Sequence, residues 1–260
     1  MEKENVIKLS DAAKSKANFL SKSPLRYFIY SMLAGIYVGL GIILIYSIGA
    51  PLNESNVPFL KALMGASFAL SLTLVIFAGS DLFTGNTMVM VLGKLERKVS
   101  WSEVAKVWSV SYLGNLAGSF LLAGIMIGTG LLSKQPLNSF IVDTAAAKMT
   151  ASFAELFFRG ILCNILVCLA VWMCARAKEE TTKLILIFWC LFGFIGSSFE
   201  HSVANMSLLT MGILAPHANE SVSWIGFINN LLPVTLGNIV GGALIVASFY
   251  WYVSTAKDIC

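Results

Sequence analysis

Apolar residues fill this chain in six long blocks free of Asp, Glu, Lys and Arg: Tyr27 to Ala50, Ala62 to Ser80, Val107 to Ser133, Gly160 to Ala175, Leu184 to Phe199 and Ser221 to Ala256. A helix needs about 20 such residues to cross the hydrocarbon of a bilayer. The pattern therefore predicts an all-α membrane protein with six spans. Ahead of the first block, Met1 to Arg26 is polar and Lys-rich, without the short apolar core and small-residue cleavage site of a signal peptide. It reads as an amphipathic helix on the membrane surface. The predicted division is residues 1–26 as this lead-in segment, 27–256 as the membrane domain and 257–260 as a short tail.

Two of the spans carry the same interruption. Asp81-Leu-Phe-Thr-Gly-Asn-Thr-Met88 lies at the end of the second block and Glu200-His-Ser-Val-Ala-Asn-Met206 at the end of the fifth, each with an acid followed five places on by Asn. A second pair of blocks, Leu113-Gly-Asn-Leu-Ala-Gly-Ser119 and Leu236-Gly-Asn-Ile-Val-Gly-Gly242, repeats on spans three and six. Matching motifs in this order predict two three-helix halves arranged as an inverted repeat, aquaporin-like, with spans two and five broken. The expected helical pieces are Lys61 to Ala78 and Asn86 to Gly93 in one half, and Leu184 to Ile195 and Asn205 towards Leu214 in the other. The breaks run Gly79 to Gly85 and Gly196 to Ser202. Free backbone groups at membrane depth survive only inside protein or beside water, so the breaks are expected to flank a conduit. Each resumed half-helix would then aim its positive dipole end at the centre, which suits an anion. Thr84, Asn86, Ser202 and Asn205 are of the types that cap helix starts.

Composition narrows the class further. The chain of 260 residues is 57% hydrophobic and 12% charged. Of its basic residues, Lys3, Lys8, Lys14, Lys16, Lys22, Arg26, Lys94, Arg97, Lys98, Lys106, Arg176, Lys178, Lys183 and Lys257 fall on one side of the predicted spans. Only Lys61, Lys134 and Lys148 fall on the other, with Arg159 inside the fourth span. The positive-inside bias places both termini in the cytoplasm of a cell-membrane protein. The formal charge of +4 follows from this asymmetry, and no nucleic-acid-reading module is present.

Ionisable groups within apolar spans are costly and mark function. His201, beside Glu200 in the middle of the second break, is a candidate pore donor or proton exchanger; the alternative is a histidine that only bonds the loop backbone. Asp81 and Glu200 are expected to accept from loop N–H groups more than to touch a solute. Lys148 is either a lysine snorkelling at the outer interface or a pore-mouth cation that concentrates anions. His217 reads as a solvated loop residue. The five cysteines form no Cys-x-x-Cys pair and are expected to pack as small apolar residues, so no metal site is predicted. Glu200-His201-Ser202 are sequence neighbours and not a catalytic triad, so no enzyme and no cofactor is expected.

Through Asp81-Leu-Phe-Thr-Gly-Asn86, Arg159-Gly-Ile-Leu-Cys-Asn164 and Glu200-His-Ser-Val-Ala-Asn-Met206, the chain resembles the formate/nitrite transporter family over essentially its whole length. The likeness leans towards the family's hydrosulfide-conducting branch. It implies a homopentamer in the lipid bilayer with one pore per protomer, and small monovalent anions as substrates: formate, nitrite or hydrosulfide. By the same resemblance His201, Thr84 and Asn164 mark the pore centre, and Lys148 is the lysine of the outer vestibule. Phe68, Leu72, Leu82, Val167 and Phe194 form apolar constrictions, while Asp81, Glu200, Asn205 and Asn238 brace the broken segments. Proton-coupled symport uses the same groups and stays open as an alternative. A neutral-solute channel of the water or glycerol type is a weaker one, since the breaks lack paired Asn-Pro-Ala blocks.

Overall fold

A computed structural model describes residues 2–255; Met1 and residues 256–260 lie outside the described residues, and with them Lys257, Cys260 and the expected tail. Among the described residues every regular element is helical. Helix α1 (Glu2–Lys22) is followed by α2 (Pro24–Glu54) and α3 (Leu60–Thr73), which continues as a wider π turn over Leu74–Gly79. Next come α4 (Phe83–Leu95), α5 (Trp101–Gly128), α6 (Leu137–Thr150), α7 (Phe153–Arg176), α8 (Glu180–Gly196) and α9 (Ser202–Leu214). The chain closes with α10 (Trp224–Ile239), a π segment over Val240–Ala247 and α11 (Ser248–Thr255).

Among the described residues five stretches are long and apolar enough to cross a membrane: α2, α3 with its π turn, α5, α7 and the continuous run from α10 to α11. The fifth expected span is divided between α8, of 17 residues, and α9, of 13. The two breaks fall where expected but are shorter. Only residues 80–82 separate the π turn from α4, and only 197–201 separate α8 from α9. Thr84, Gly85 and Ser202 are therefore helical, and the half-helices start at Phe83 and Ser202 rather than at Asn86 and Asn205. The reason is a cap supplied from another helix, described below, which lets each half-helix begin without a capping residue of the predicted type.

The two halves repeat each other in packing as well as in sequence. A β-carbon placed on Gly118 of α5 would fall 2.0 Å from the carbonyl oxygen of Met32 on α2, and one on Gly241 would fall 2.4 Å from that of Ile161 on α7. Only glycine permits helices to touch this closely. The backbone turns into both breaks through a left-handed residue, Gly79 in the first half and Ser198 in the second. Glycine takes this conformation freely, whereas serine takes it at a cost. Helix α1 buries Val6, Leu9, Ala13, Ala17 and Leu20, a stripe of helical period, and packs it on α4 and α11. One apolar core lies around the breaks, and a second joins α1 to α4, α5 and α7.

Candidate functional site: a polar junction between two cavities

Each break is held by an asparagine from the following long helix. Asn115 of α5 accepts from the Phe83 amide through Oδ1 at 2.9 Å and donates through Nδ2 to the carbonyls of Asp81 and Ser31. Asn238 of α10 does the same for the other break: Oδ1 accepts from the Ser202 amide at 2.9 Å, and Nδ2 donates to the carbonyls of Glu200 and Gly160. A helix start leaves amide groups without intrahelical partners, and burying them unpaired is costly. These two side chains meet that need from outside, and both are fully buried. The Asp81 amide donates to Tyr30 O and the Glu200 amide to Arg159 O, both at 3.3 Å.

The acids were expected to bind the loop amides, but they bind side chains. Glu200 accepts from Lys148 Nζ at 2.6 Å and from Asn205 Nδ2 at 2.6 Å. Asn205 also donates to Asn230 Oδ1, and Asn230 donates to the carbonyl of Lys148, closing a ring of four residues. In the other half Asp81 pairs with Lys16 of α1 at 2.6 Å and accepts from Asn86 Nδ2. Each acid is thus a buried anion matched by one lysine, so neither adds net charge to its surroundings.

At the centre the two breaks meet. His201 Nδ1 accepts from the Ala204 amide at 3.1 Å, which caps α9 and fixes the ring proton on Nε2. Nε2 stands 2.9 Å from Thr84 Oγ1, so the imidazole donates to the hydroxyl across the junction. Two half-helices, α4 and α9, therefore present their N-terminal ends to one spot. Glu200, His201 and Ser202 form no triad: Glu200 faces Lys148, His201 faces Thr84, and Ser202 Oγ has no protein partner. Among the described residues no group of His, Cys, Asp and Glu is placed to hold a metal.

Two cavities adjoin this junction, and His201 and Phe194 line both. The larger, of about 300 Å³, is bordered by Tyr46, Lys61, Thr144, Lys148 and Arg159 and also by Glu200 and His201. The smaller is a gap of about 10 Å³ between Phe68, Leu72, Leu82, Val167 and Phe194, room for no more than about one water. Phe68 and Phe194 meet edge to face at 5.5 Å, and Phe194 stacks on His201 at 5.9 Å. The five apolar residues singled out in the sequence are thus gathered around one gap. Asn164 lies beside the junction, where its Nδ2 reaches the carbonyl of Thr84 at 3.3 Å. It donates to Thr87 Oγ1 at 2.9 Å and to Asn238 O at 2.5 Å, and borders neither cavity. Arg159 lies in the first turns of α7, and its half-exposed side chain borders the larger cavity. His217 is exposed, and Cys163, Cys168, Cys174 and Cys190 are buried free thiols.

Sequence reasoning missed Lys16 as a site residue and passed over Asn115 except as part of a repeat. The mate of Asn115, Asn238, carried the signal that would have found it, because the blocks align Asn on Asn. Lys16 has no such signal, since its partner lies 65 residues away.

Long apolar helices around two broken segments that meet at a polar, two-sided junction define a multi-pass membrane protein with a transport-type core. The formate/nitrite transporter family model matches residues 3–252, and the chain belongs to that family. It is 42% identical over 256 residues to the nitrite transporter NirC of Salmonella typhimurium, covering 98% of this chain and 93% of that protein. A solved structure titled "FNT family ion channel" matches with a TM-score of 0.91 at 41% identity, covering 96% of this chain and 98% of that one. Another, "Pentameric formate channel with formate bound", matches with a TM-score of 0.79 at 33% identity over 89% of this chain and 98% of that one.

Proposed function

We propose that this protein is a channel for small monovalent anions of weak acids, with nitrite and formate as the leading substrates and hydrosulfide in the same range. The relatives' names, nitrite transporter and formate channel, support the substrate class. The observation that carries the reading is His201 at the meeting point of a wide cavity lined by Lys61, Lys148 and Arg159 and a narrow apolar gap. In this reading the protein is a homopentamer with one pore per protomer. The broken segments belong to an inverted six-span repeat with both termini in the cytoplasm, and the larger cavity is the outer vestibule.

Permeation is governed by desolvation. Cations around the vestibule raise the local anion concentration, and Lys148 keeps two N–H groups beyond its bond to Glu200. Beyond it, the five apolar side chains penalise a bare anion by several kcal/mol, an amount the helix ends and Thr84–His201 offset in part. A weak acid crosses this gap more easily when it gains a proton or is steered by those donors, which is why the reading is confined to anions of weak acids. The test is a panel of fluxes through purified protein in liposomes, measured across pH. Saturable nitrite and formate uptake, with glycerol excluded, is the expected result. Glycerol passage without anion passage would overturn the reading in favour of a neutral-solute channel.

A further inference from the structure

Away from the junction, a third cavity of about 460 Å³ opens between the C-terminal end of α1 and the first turns of α5. Its floor is apolar, with Ala17, Leu20 and Val107 all buried, while Ser21, Glu103 and Lys106 form a more exposed, polar rim. Two charges on that rim are uncommitted. Glu103 spends Oε2 on the amide and the hydroxyl of Ser100, each at 2.7 Å, which leaves Oε1 without a partner. Lys106 stands one turn on, near enough for its charge to act on Glu103; among the described residues its Nζ makes no hydrogen bond or ion pair. Residues three apart on a helix are neighbours. The rim therefore offers a free acceptor and a free cationic donor side by side.

The depth of this pair in the bilayer follows from the helix that carries it. With its 28 residues, α5 is about 42 Å long at 1.5 Å per residue, and the hydrocarbon takes up about 30 Å of it. A centred helix extends about 6 Å beyond each face. Lys106 lies about 8 Å from the start of α5, which sets it level with the boundary between headgroups and acyl chains. Trp101, exposed on the water side of Lys106, is of the type that gathers at that boundary. Towards the bilayer centre, Val110, Leu113 and Leu121 continue the face of Lys106 at helical spacing, and Leu113 and Leu121 are about half exposed.

We propose that this groove binds one phosphatidylethanolamine molecule: Lys106 donates to the phosphate, Glu103 Oε1 accepts from the ammonium, and an acyl chain follows Val110, Leu113 and Leu121. The inference goes beyond the channel reading and stands independently of it. An adjacent cation and anion match a headgroup whose phosphate and ammonium are two carbons apart. Phosphatidylglycerol brings the phosphate with no cation for Glu103, and the quaternary ammonium of phosphatidylcholine has no N–H to donate.

The experiment is native mass spectrometry of the full chain in detergent with an equimolar mixture of phosphatidylethanolamine, phosphatidylglycerol and phosphatidylcholine of the same acyl chains. Wild type is compared with Lys106→Gln and with Glu103→Gln, in which glutamine still serves the capping box with Ser100; elution volumes matching wild type exclude misfolding. Wild type should retain phosphatidylethanolamine about fivefold over the other two lipids. Lys106→Gln should lower that retention about fivefold, the scale of one basic residue at a lipid headgroup, and Glu103→Gln should abolish the preference over phosphatidylglycerol. Wild type without a preference, or variants that retain phosphatidylethanolamine as wild type does, would overturn the site. Lipid retention that stays equal while the variants change oligomeric mass would also overturn it, by showing that a second copy fills the groove.

Discussion

His201 Nε2 donates to Thr84 Oγ1 across 2.9 Å, a side-chain hydrogen bond that joins the start of α4 in the first half to the break in the second. Because Nδ1 already accepts from the Ala204 amide, the imidazole is used at both nitrogens. A second ring proton has no seat unless the cap on α9 is broken.

Removing the acceptor should therefore resemble removing the donor. Thr84→Val is expected to lower nitrite flux in liposomes by about tenfold, as expected when a buried N–H loses its partner. His201→Ala should fall to a similar level, and the double variant should be no more than about twofold below either single one. Fully additive losses would mean that the two residues act separately.

Asn238 is expected to matter for stability more than its distance from the solute suggests. Asn238→Leu keeps the volume but leaves the Ser202 amide and the Glu200 carbonyl unpaired and takes one donor from the Gly160 carbonyl. The Gly160 carbonyl keeps its partner within α7, so two groups count, and at about 1–3 kcal/mol for each such buried group the melting temperature in detergent should drop by about 6 °C or more. A melting curve that superimposes on wild type would show that the asparagine does not hold the break.

The repeated glycine seams give a paired prediction. Gly118→Ala drives a methyl group into the Met32 carbonyl at 2.0 Å, a backbone atom that cannot rotate away, and should sharply reduce the yield of folded protein. Gly193→Ala, whose nearest neighbour is the end of the Leu166 side chain at 3.5 Å, should be tolerated. Equal yields for the two variants would contradict the packing described.

Lys148→Ala removes the cation and leaves Glu200, which is 3% exposed, as an unmatched anion beside the vestibule. Anion flux should fall several-fold in about 0.01 M salt and much less in about 1 M, because screening shortens from about 30 Å to about 3 Å over that range. A decrease that does not vary with salt would assign Lys148 a structural role.

Much of this layout was legible in the sequence because a bilayer simplifies the reading: charge-free length marks the helices, and any acid, histidine or asparagine inside them stands out. Asp81, Glu200 and His201 were found in this way, and the paired Leu-Gly-Asn blocks pointed to the repeat. What the sequence did not yield was partnership. The amides of the breaks are capped by Asn115 and Asn238 from other helices, which is why Thr84 and Ser202 fall inside helices that local capping rules would have started later. Lys16 reached Asp81 through the docking of α1, a tertiary event with no local mark. Asn164 stands beside Thr84, and its further bonds to Thr87 and Asn238 are set by packing that the sequence does not show.

The most direct test of the conduit is to plug it. Leu82 borders the gap of about 10 Å³ beside His201, and Leu82→Trp would fill it. In liposomes containing equal amounts of folded protein, wild type should carry nitrite and formate well above the leak of empty vesicles, and Leu82→Trp should fall to that leak. Undiminished flux through the tryptophan variant would mean that the anions take another path, and the account built on the Thr84–His201 junction would fail.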